Sequence, residues 1–172
     1  MDSRYHIRPR RESDDDRLAG VETRAAALFS AHGHPEVGNA PASDASSIRT
    51  LTDGCDVWVA ADRDDAPVGF AVAYQLGGHL HLKELSVDPA HGRRGIGARL
   101  VGCVRDAARR RGLPAVSLTT YRDVPFNQPY YERLGFRELP LHEAADELVR
   151  CFHREVPPGS SPQSRVLLVC NS

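Results

Sequence analysis

Lysine is almost missing from this chain: Lys83 is the only one among 172 residues, and arginine supplies the rest of the positive charge. The 22 basic and 23 acidic residues nearly cancel, leaving a formal charge of -1. That balance lacks the basic excess of a dedicated nucleic-acid binder. The scarcity of lysine itself fits the codon usage of a G+C-rich genome and implies no chemistry. No apolar run approaches the ~20 residues that cross a bilayer, and MDSRYHIRPRRESDDD has no signal-like apolar stretch. The expectation is a cytoplasmic protein with no membrane partner. Cys55, Cys103, Cys151 and Cys170 form no Cys-x-x-Cys pair and no Cys/His cluster. In a reducing compartment they read as small buried hydrophobes, so no metal is expected. Internal repeats and a second domain are lacking too, which makes residues 1–172 a single domain.

What is present is an ordinary globular composition, 41% hydrophobic and 26% charged, in a chain long enough to bury a core. Tyr5 to Arg8 reads as a short strand. Ser13-Asp14-Asp15-Asp16 supplies capping and first-turn acids for a helix through about Ser30, with Leu18, Val21, Ala25, Leu28 and Phe29 at helical spacing. A second helix is expected from about Ser43 to Leu51. Val57–Ala61, Val68–Leu76 and His79–Val87 read as strands joined by an Asp-rich turn and by Gly77-Gly78, an antiparallel meander. After Pro89 the period changes. Ile96, Leu100, Val101, Val104, Ala107 and Ala108 make a helical stripe that Arg109-Arg110-Arg111, Gly112 and Pro114 close. Ala115 to Thr120 is a strand, parallel to the one before the long helix. A short helix over Gln128–Leu134 ends at Gly135. Leu141 to Arg154 is helical, Val156 to Ser164 a flexible connection, and Arg165 to Cys170 a last strand. The fold class is therefore α/β (mixed α+β), with a mixed antiparallel and parallel sheet of six or seven strands flanked by helices.

The most informative segment is Leu85-Ser86-Val87-Asp88-Pro89-Ala90-His91-Gly92-Arg93-Arg94-Gly95-Ile96-Gly97-Ala98. A strand ends, glycines and arginines follow, and a helix begins at once. Bare N–H groups at a helix start attract phosphate, and glycines allow close approach. The Gly-Lys-Ser/Thr of a Walker A loop is missing. A dinucleotide fingerprint would need a third glycine where Leu100 stands, after a βαβ strand rather than a hairpin. Farther on lies Val124-Pro125-Phe126-Asn127-Gln128-Pro129-Tyr130-Tyr131-Glu132-Arg133-Leu134-Gly135-Phe136.

The first segment resembles motif A of the GNAT superfamily of N-acetyltransferases, Arg/Gln-x-x-Gly-x-Gly/Ala. Gly95 and Gly97 take the glycine positions, and Gly92 departs from the leading Arg/Gln. The second is similar to the later GNAT segment, in which Asn precedes Tyr-x-x-x-Gly-Phe. Both stand in the family's order and spacing, and the likeness extends loosely over the whole chain. The Asn-x-Pro-Tyr-Tyr version is most similar to small-molecule and antibiotic acetyltransferases.

The resemblance implies acetyl-CoA as cosubstrate and direct transfer to a primary amine of a small molecule or peptide in a ternary complex, with no metal and no covalent acetyl-enzyme. Homodimer formation is compatible with it. Leu85, Ser86 and Val87 would pair with the pantetheine arm, and Arg93, Arg94, Gly95, Ile96, Gly97 and Ala98 would hold the pyrophosphate. A backbone N–H where the strands splay would stabilise charge developing on the acetyl oxygen. Glu84 is the candidate general base, set against a surface or Arg-paired carboxylate. Tyr131 takes the family's general-acid position and also contacts cofactor, while Tyr130 reads as a core aromatic. Asn127 caps the helix, bonds the cofactor, or does both. His32, His34 and Glu36 lack a third metal ligand at a recognised spacing and belong to a loop beside the acceptor pocket. His79 and His81 share one strand face, with solvent-exposed packing expected and a pocket-lining role the alternative. The rival reading from another class is a GNAT-fold module that binds acetyl-CoA or a metabolite without turnover.

Overall fold

The computed structural model describes residues 4–172. A seven-stranded mixed sheet runs in the order β1-β2-β3-β4-β5-β7-β6. Its strands are β1 (His6–Pro9), β2 (Asp56–Ala61), β3 (Pro67–Leu76), β4 (His79–Val87), β5 (Ala115–Tyr121), β6 (Arg137–Glu138) and β7 (Arg165–Asn171). The helices are α1 (Asp15–Ala26), α2 (Pro35–Gly38), α3 (Ala45–Thr52), α4 (Ile96–Arg110), α5 (Gln128–Arg133) and α6 (Asp146–Arg154). The meander β1 to β4 is antiparallel and β4–β5 is the one parallel pair, as the crossover through α4 requires.

Each face of the sheet has its own cover. Leu80, Leu82, Val116, Leu118, Val166 and Leu168 point at α4, whose buried stripe is Ile96, Leu100, Val101, Val104, Ala107 and Ala108. On the other face α1 and α3 cover β2 and β3 through Leu18, Val21 and Ile48. There α6 covers β7 through Leu148 and Phe152 against Leu167.

Two local expectations change, and one strand takes a place that the sequence left open. Asp14 and Asp15 do not cap α1 with their side chains. Asp14 accepts from Arg8 at 2.8 and 2.9 Å, and Asp15 from Arg10 at 2.7 Å. A charge-assisted pair to a bidentate guanidinium outcompetes a single capping bond, so these acids fasten the head of α1 to β1. The last strand forms as read, and it inserts between β5 and the two-residue β6, a placement the sequence pattern did not reveal. Finally, Leu141 to Arg154 is helical only from Asp146, after a 3₁₀ turn.

Candidate active site

The site begins with one extra residue in β4. Val72 pairs with Glu84, yet Ala73 pairs with Leu82, so Lys83 is a bulge that nothing on β3 opposes. A bulge shifts the side-chain alternation by one and bends the strand. Before it, Leu80 and Leu82 face α4; after it, Leu85 and Val87 do. His81, Glu84 and Ser86 are thereby gathered on the opposite face, although strict alternation would have divided them.

The bend also opens the sheet. The β4–β5 ladder consists of His79, Leu80 and His81 against Ala115, Val116 and Ser117, and stops there. Beyond that point β4 runs on to Val87 and β5 to Tyr121 without pairing. Main-chain groups on the facing edges need another partner, and the wedge between the strands is where an extended amide-bearing chain fits.

At the outer end of β4 lies the glycine turn. Gly95 takes the left-handed conformation (φ 75°) as the α4 N-cap, and Arg93 does so without a glycine's freedom (φ 59°). The first N–H groups of α4 have no acceptor within the helix. Ile96 is 2% exposed, so its side chain anchors the turn in the core. The Arg94 Nη1 donates to the Tyr5 hydroxyl at 2.9 Å, and that hydroxyl meets His91 Nδ1 at 2.9 Å. Among the described residues, Arg93 makes no side-chain hydrogen bond or ion pair. A Cβ at Gly97 would come within 2.6 Å of the Tyr130 hydroxyl, so glycine there lets α5 close against α4. This cradle fits a pyrophosphate followed by a pantetheine arm.

Glu84 sits at the mouth of the wedge. Its surface is only partly covered, yet protein surrounds it closely, and this enclosure governs its charge. Burial pushes its carboxyl up to about 7, against a bond from Ser86 Oγ at 2.7 Å that favours the ionised form. Tyr131 is 8% exposed and packs in the α4-side core against Tyr130 and Phe136. Burial, with the nearby charge of Glu84, raises its hydroxyl far above the ordinary phenol range, so it keeps its proton. The burial order is the reverse of the expected one, because Tyr130 is only half-buried. The Asn127 side chain makes no capping bond, which removes that role and leaves its amide to the loop where α5 begins.

Several residues here escaped the sequence reading. His81 is fully buried rather than solvent-exposed, since α6 lies over it. Its Nδ1 meets Ser117 Oγ at 2.9 Å, and its Nε2 meets Glu155 at 3.1 Å and Cys151 Sγ at 3.5 Å. Bonds and charge from Cys151 and Glu155 outweigh burial and hold its pKa up at about 9. Ligand-type atoms of His81, Cys151 and Glu155 lie within 4.8 Å of one another, a cluster that sequence spacing hid. Glu155 also accepts from Thr119 Oγ1 at 2.6 Å, and Arg165 Nη2 donates to that same oxygen at 2.8 Å. One signal was available. In Ala-Val-Ser-Leu-Thr-Thr-Tyr, every second residue from Ser117 is polar or carries a hydroxyl, which marks a polar chamber on one face. The loop after α1 reaches this chamber, with His34 tilted against the Tyr121 ring at 3.8 Å and bonded to Asp123 at 3.1 Å. His32 turns away to the Leu28 carbonyl, so the three-residue set His32, His34 and Glu36 does not assemble. Val156 to Ser164 is fastened rather than loose, since Ser160 Oγ donates to Glu36 at 2.6 Å and also meets the Tyr121 hydroxyl.

The Acetyltransferase (GNAT) family model matches residues 25–136, a span that contains the bulged strand, the glycine turn and the Tyr-x-x-x-Gly-Phe segment. The chain belongs to the GNAT family of N-acetyltransferases. Solved structures agree on the fold. A GNAT acetyltransferase from Staphylococcus aureus Mu50 superposes with a TM-score of 0.67 at 18% identity, covering 97% of this chain and 98% of that one. The ribosomal-protein-S18-alanine N-acetyltransferase of Escherichia coli gives 0.68 at 16% identity, over 97% and 93%. The PaiA N-acetyltransferase of Thermoplasma acidophilum, solved with coenzyme A, gives 0.65 at 12% identity, over 98% and 99%. Among the described residues of this GNAT chain, no helix is long and apolar enough to cross a membrane.

Proposed function

We propose that this GNAT protein binds acetyl-CoA in the wedge between β4 and β5 and transfers the acetyl group directly to a primary amine of a small molecule or peptide. The observation that carries the reading is Glu84. It is an ionisable carboxyl with a pKa of about 7, held by a bulge at the point where the sheet opens. A base so tuned is half ionised near neutral pH, which suits proton removal from an alkylammonium. In this reading Leu85, Ser86 and Val87 offer main-chain groups to the pantetheine arm. The pyrophosphate would lie on the N–H groups of the α4 start, with Arg93 the freer of the two arginines to reach it. Acetyl-CoA supplies the activated acyl group. Glu84 takes the amine's proton directly or through water, and the Tyr131 hydroxyl gives one to the departing thiolate. The remaining Asn127 amide suits a cofactor contact. His81 and Glu155 form a charged pair inside the chamber rather than a metal site, and the reaction needs no metal. Free thiols at all four cysteines suit a cytoplasmic setting, and residues 1–172 act as one domain.

Thiol release from acetyl-CoA with a panel of primary amines, read with mass spectrometry for one added acetyl group, checks this. Amine-dependent release that is unchanged by a chelator is the expected outcome. Release that ignores the amine, or stops with the chelator, contradicts it.

A further inference from the structure

Arg165 heads β7 directly across from Tyr121 of β5, and its guanidinium lies 4.6 Å from the centre of the Tyr121 ring. Nη2 donates to Thr119 Oγ1 at 2.8 Å, but the buried Nε has no hydrogen-bond partner. No described carboxylate lies within ion-pair distance. Glu155, whose charge reaches Arg165, is already engaged by His81 and Thr119. Glu84, whose charge also reaches it, accepts from Ser86 instead. The chain treats other enclosed arginines differently. Arg8 is bound by Asp14 and Asp65, and Arg10 by Asp15. Arg105 also leaves Nε bare, but it stands on α4, on the far side of the sheet from this chamber.

A guanidinium stays charged at any working pH, and enclosing one without a counter-ion is unfavourable. Its planar fork matches a carboxylate. The His81–Glu155 pair is neutral as a unit, so among Arg165 and the carboxylates whose charge reaches it, the unpaired opposites are Glu84 and Arg165. An acceptor bearing only an amine would satisfy the first and leave the second bare once water is excluded. A zwitterion satisfies both.

We propose that the acceptor is a small amino carboxylate, such as a free amino acid, whose carboxylate is bound by Arg165 while its amine faces Glu84. This rests on the acetyl-transfer reading above, and the bond changes are those of that reaction. An N-acetyl amino acid and free CoA form, and one proton is released.

The test pairs each common amino acid with its amide and its decarboxylated amine. Binding is measured by titration calorimetry with CoA present, and acetyl transfer is measured separately by mass spectrometry. At least one amino acid is expected to bind about 10- to 100-fold more tightly than its amide, the range for a charge-assisted contact. Arg165→Met should erase that preference by weakening the acid far more than the amide, and Arg165→Lys should restore part of it. Amides or simple amines that bind as well as the acids would overturn the proposal. So would an equal loss for both classes in Arg165→Met, or no binding of any amino acid. Should Arg165→Met fail to fold, the wild-type comparison of acid with amide still decides. Carboxylate-dependent binding without transfer would sustain the Arg165 site and sink the transferase reading. Transfer to plain amines without carboxylate preference would do the reverse.

Discussion

Glu84 and Tyr131 are both titratable groups in enclosed surroundings, but only Glu84 is moved into the working pH range. Its native pKa of about 7 lies above the ordinary 4.5, so between these values the folded protein holds a proton that the unfolded chain has released. Stability should therefore decline as pH rises through that window. Glu84→Gln removes this decline, which melts at pH 4, 6 and 8 can check. The activity has the opposite slope. A base must be ionised, so wild-type kcat/KM should climb with pH and level off above about 7. In Glu84→Gln the residual rate should instead track deprotonation of the free amine, while acetyl-CoA affinity stays near wild type. Tyr131→Phe removes only a hydroxyl, because the ring keeps its contacts with Tyr130 and Phe136. A loss of ~10²–10⁴ in kcat is expected, smaller with an acyl donor whose thiol is more acidic. Stopped-flow and steady-state assays of Tyr131→Phe against Tyr130→Phe check this. A greater loss in Tyr130→Phe would shift the acid to the tyrosine whose hydroxyl overlies Gly97.

At the scale of elements, β4 and the turn into α4 do most of the positioning. Arg93 and Arg94 replaced together by Ala should weaken CoA binding but spare a truncated pantetheine thioester, since only the former carries the pyrophosphate. Calorimetric titration of both ligands reads the difference, and equal losses would show that these side chains do not face the phosphates. Tyr5 gives a reason to expect unequal shares, for Arg94 is already bonded to it whereas Arg93 is not engaged. The strand–turn–helix unit was legible in the sequence because it is local: glycines at 92, 95 and 97, then a helical stripe from Ile96. The bulge at Lys83 left a trace that was passed over, since the apolar alternation of Leu80 and Leu82 resumes one residue out of phase at Leu85 and Val87. Its effect on His81 depends on the register with β3 and on α6. The insertion of β7 beside β5 was hidden for the same reason, and with it Arg165. Pairing between elements separated by more than 40 residues leaves no periodic trace. Glu84 was proposed from its place before motif A, whereas Glu155, whose charge reaches it, comes near only through the tertiary fold.

For the whole molecule, the wedge makes a consequence that involves every layer. The β4–β5 ladder ends early, so a ligand that bridges the two edges ties the meander, which α1 and α3 cover, to the β5–β7–β6 half of the sheet. Binding to the native state alone adds stability as RT ln(1 + [L]/Kd), about 2.7 kcal/mol at a hundredfold excess over Kd. For a domain of this size that corresponds to roughly 5–10 °C in Tm. The most direct measurement is a thermal melt of the full chain with and without acetyl-CoA, repeated with Arg93→Ala/Arg94→Ala. The expected result is a concentration-dependent rise of about that size in one cooperative transition, reduced in the double variant. No change in Tm at millimolar acetyl-CoA would contradict the assignment of the wedge and the glycine turn as its binding site.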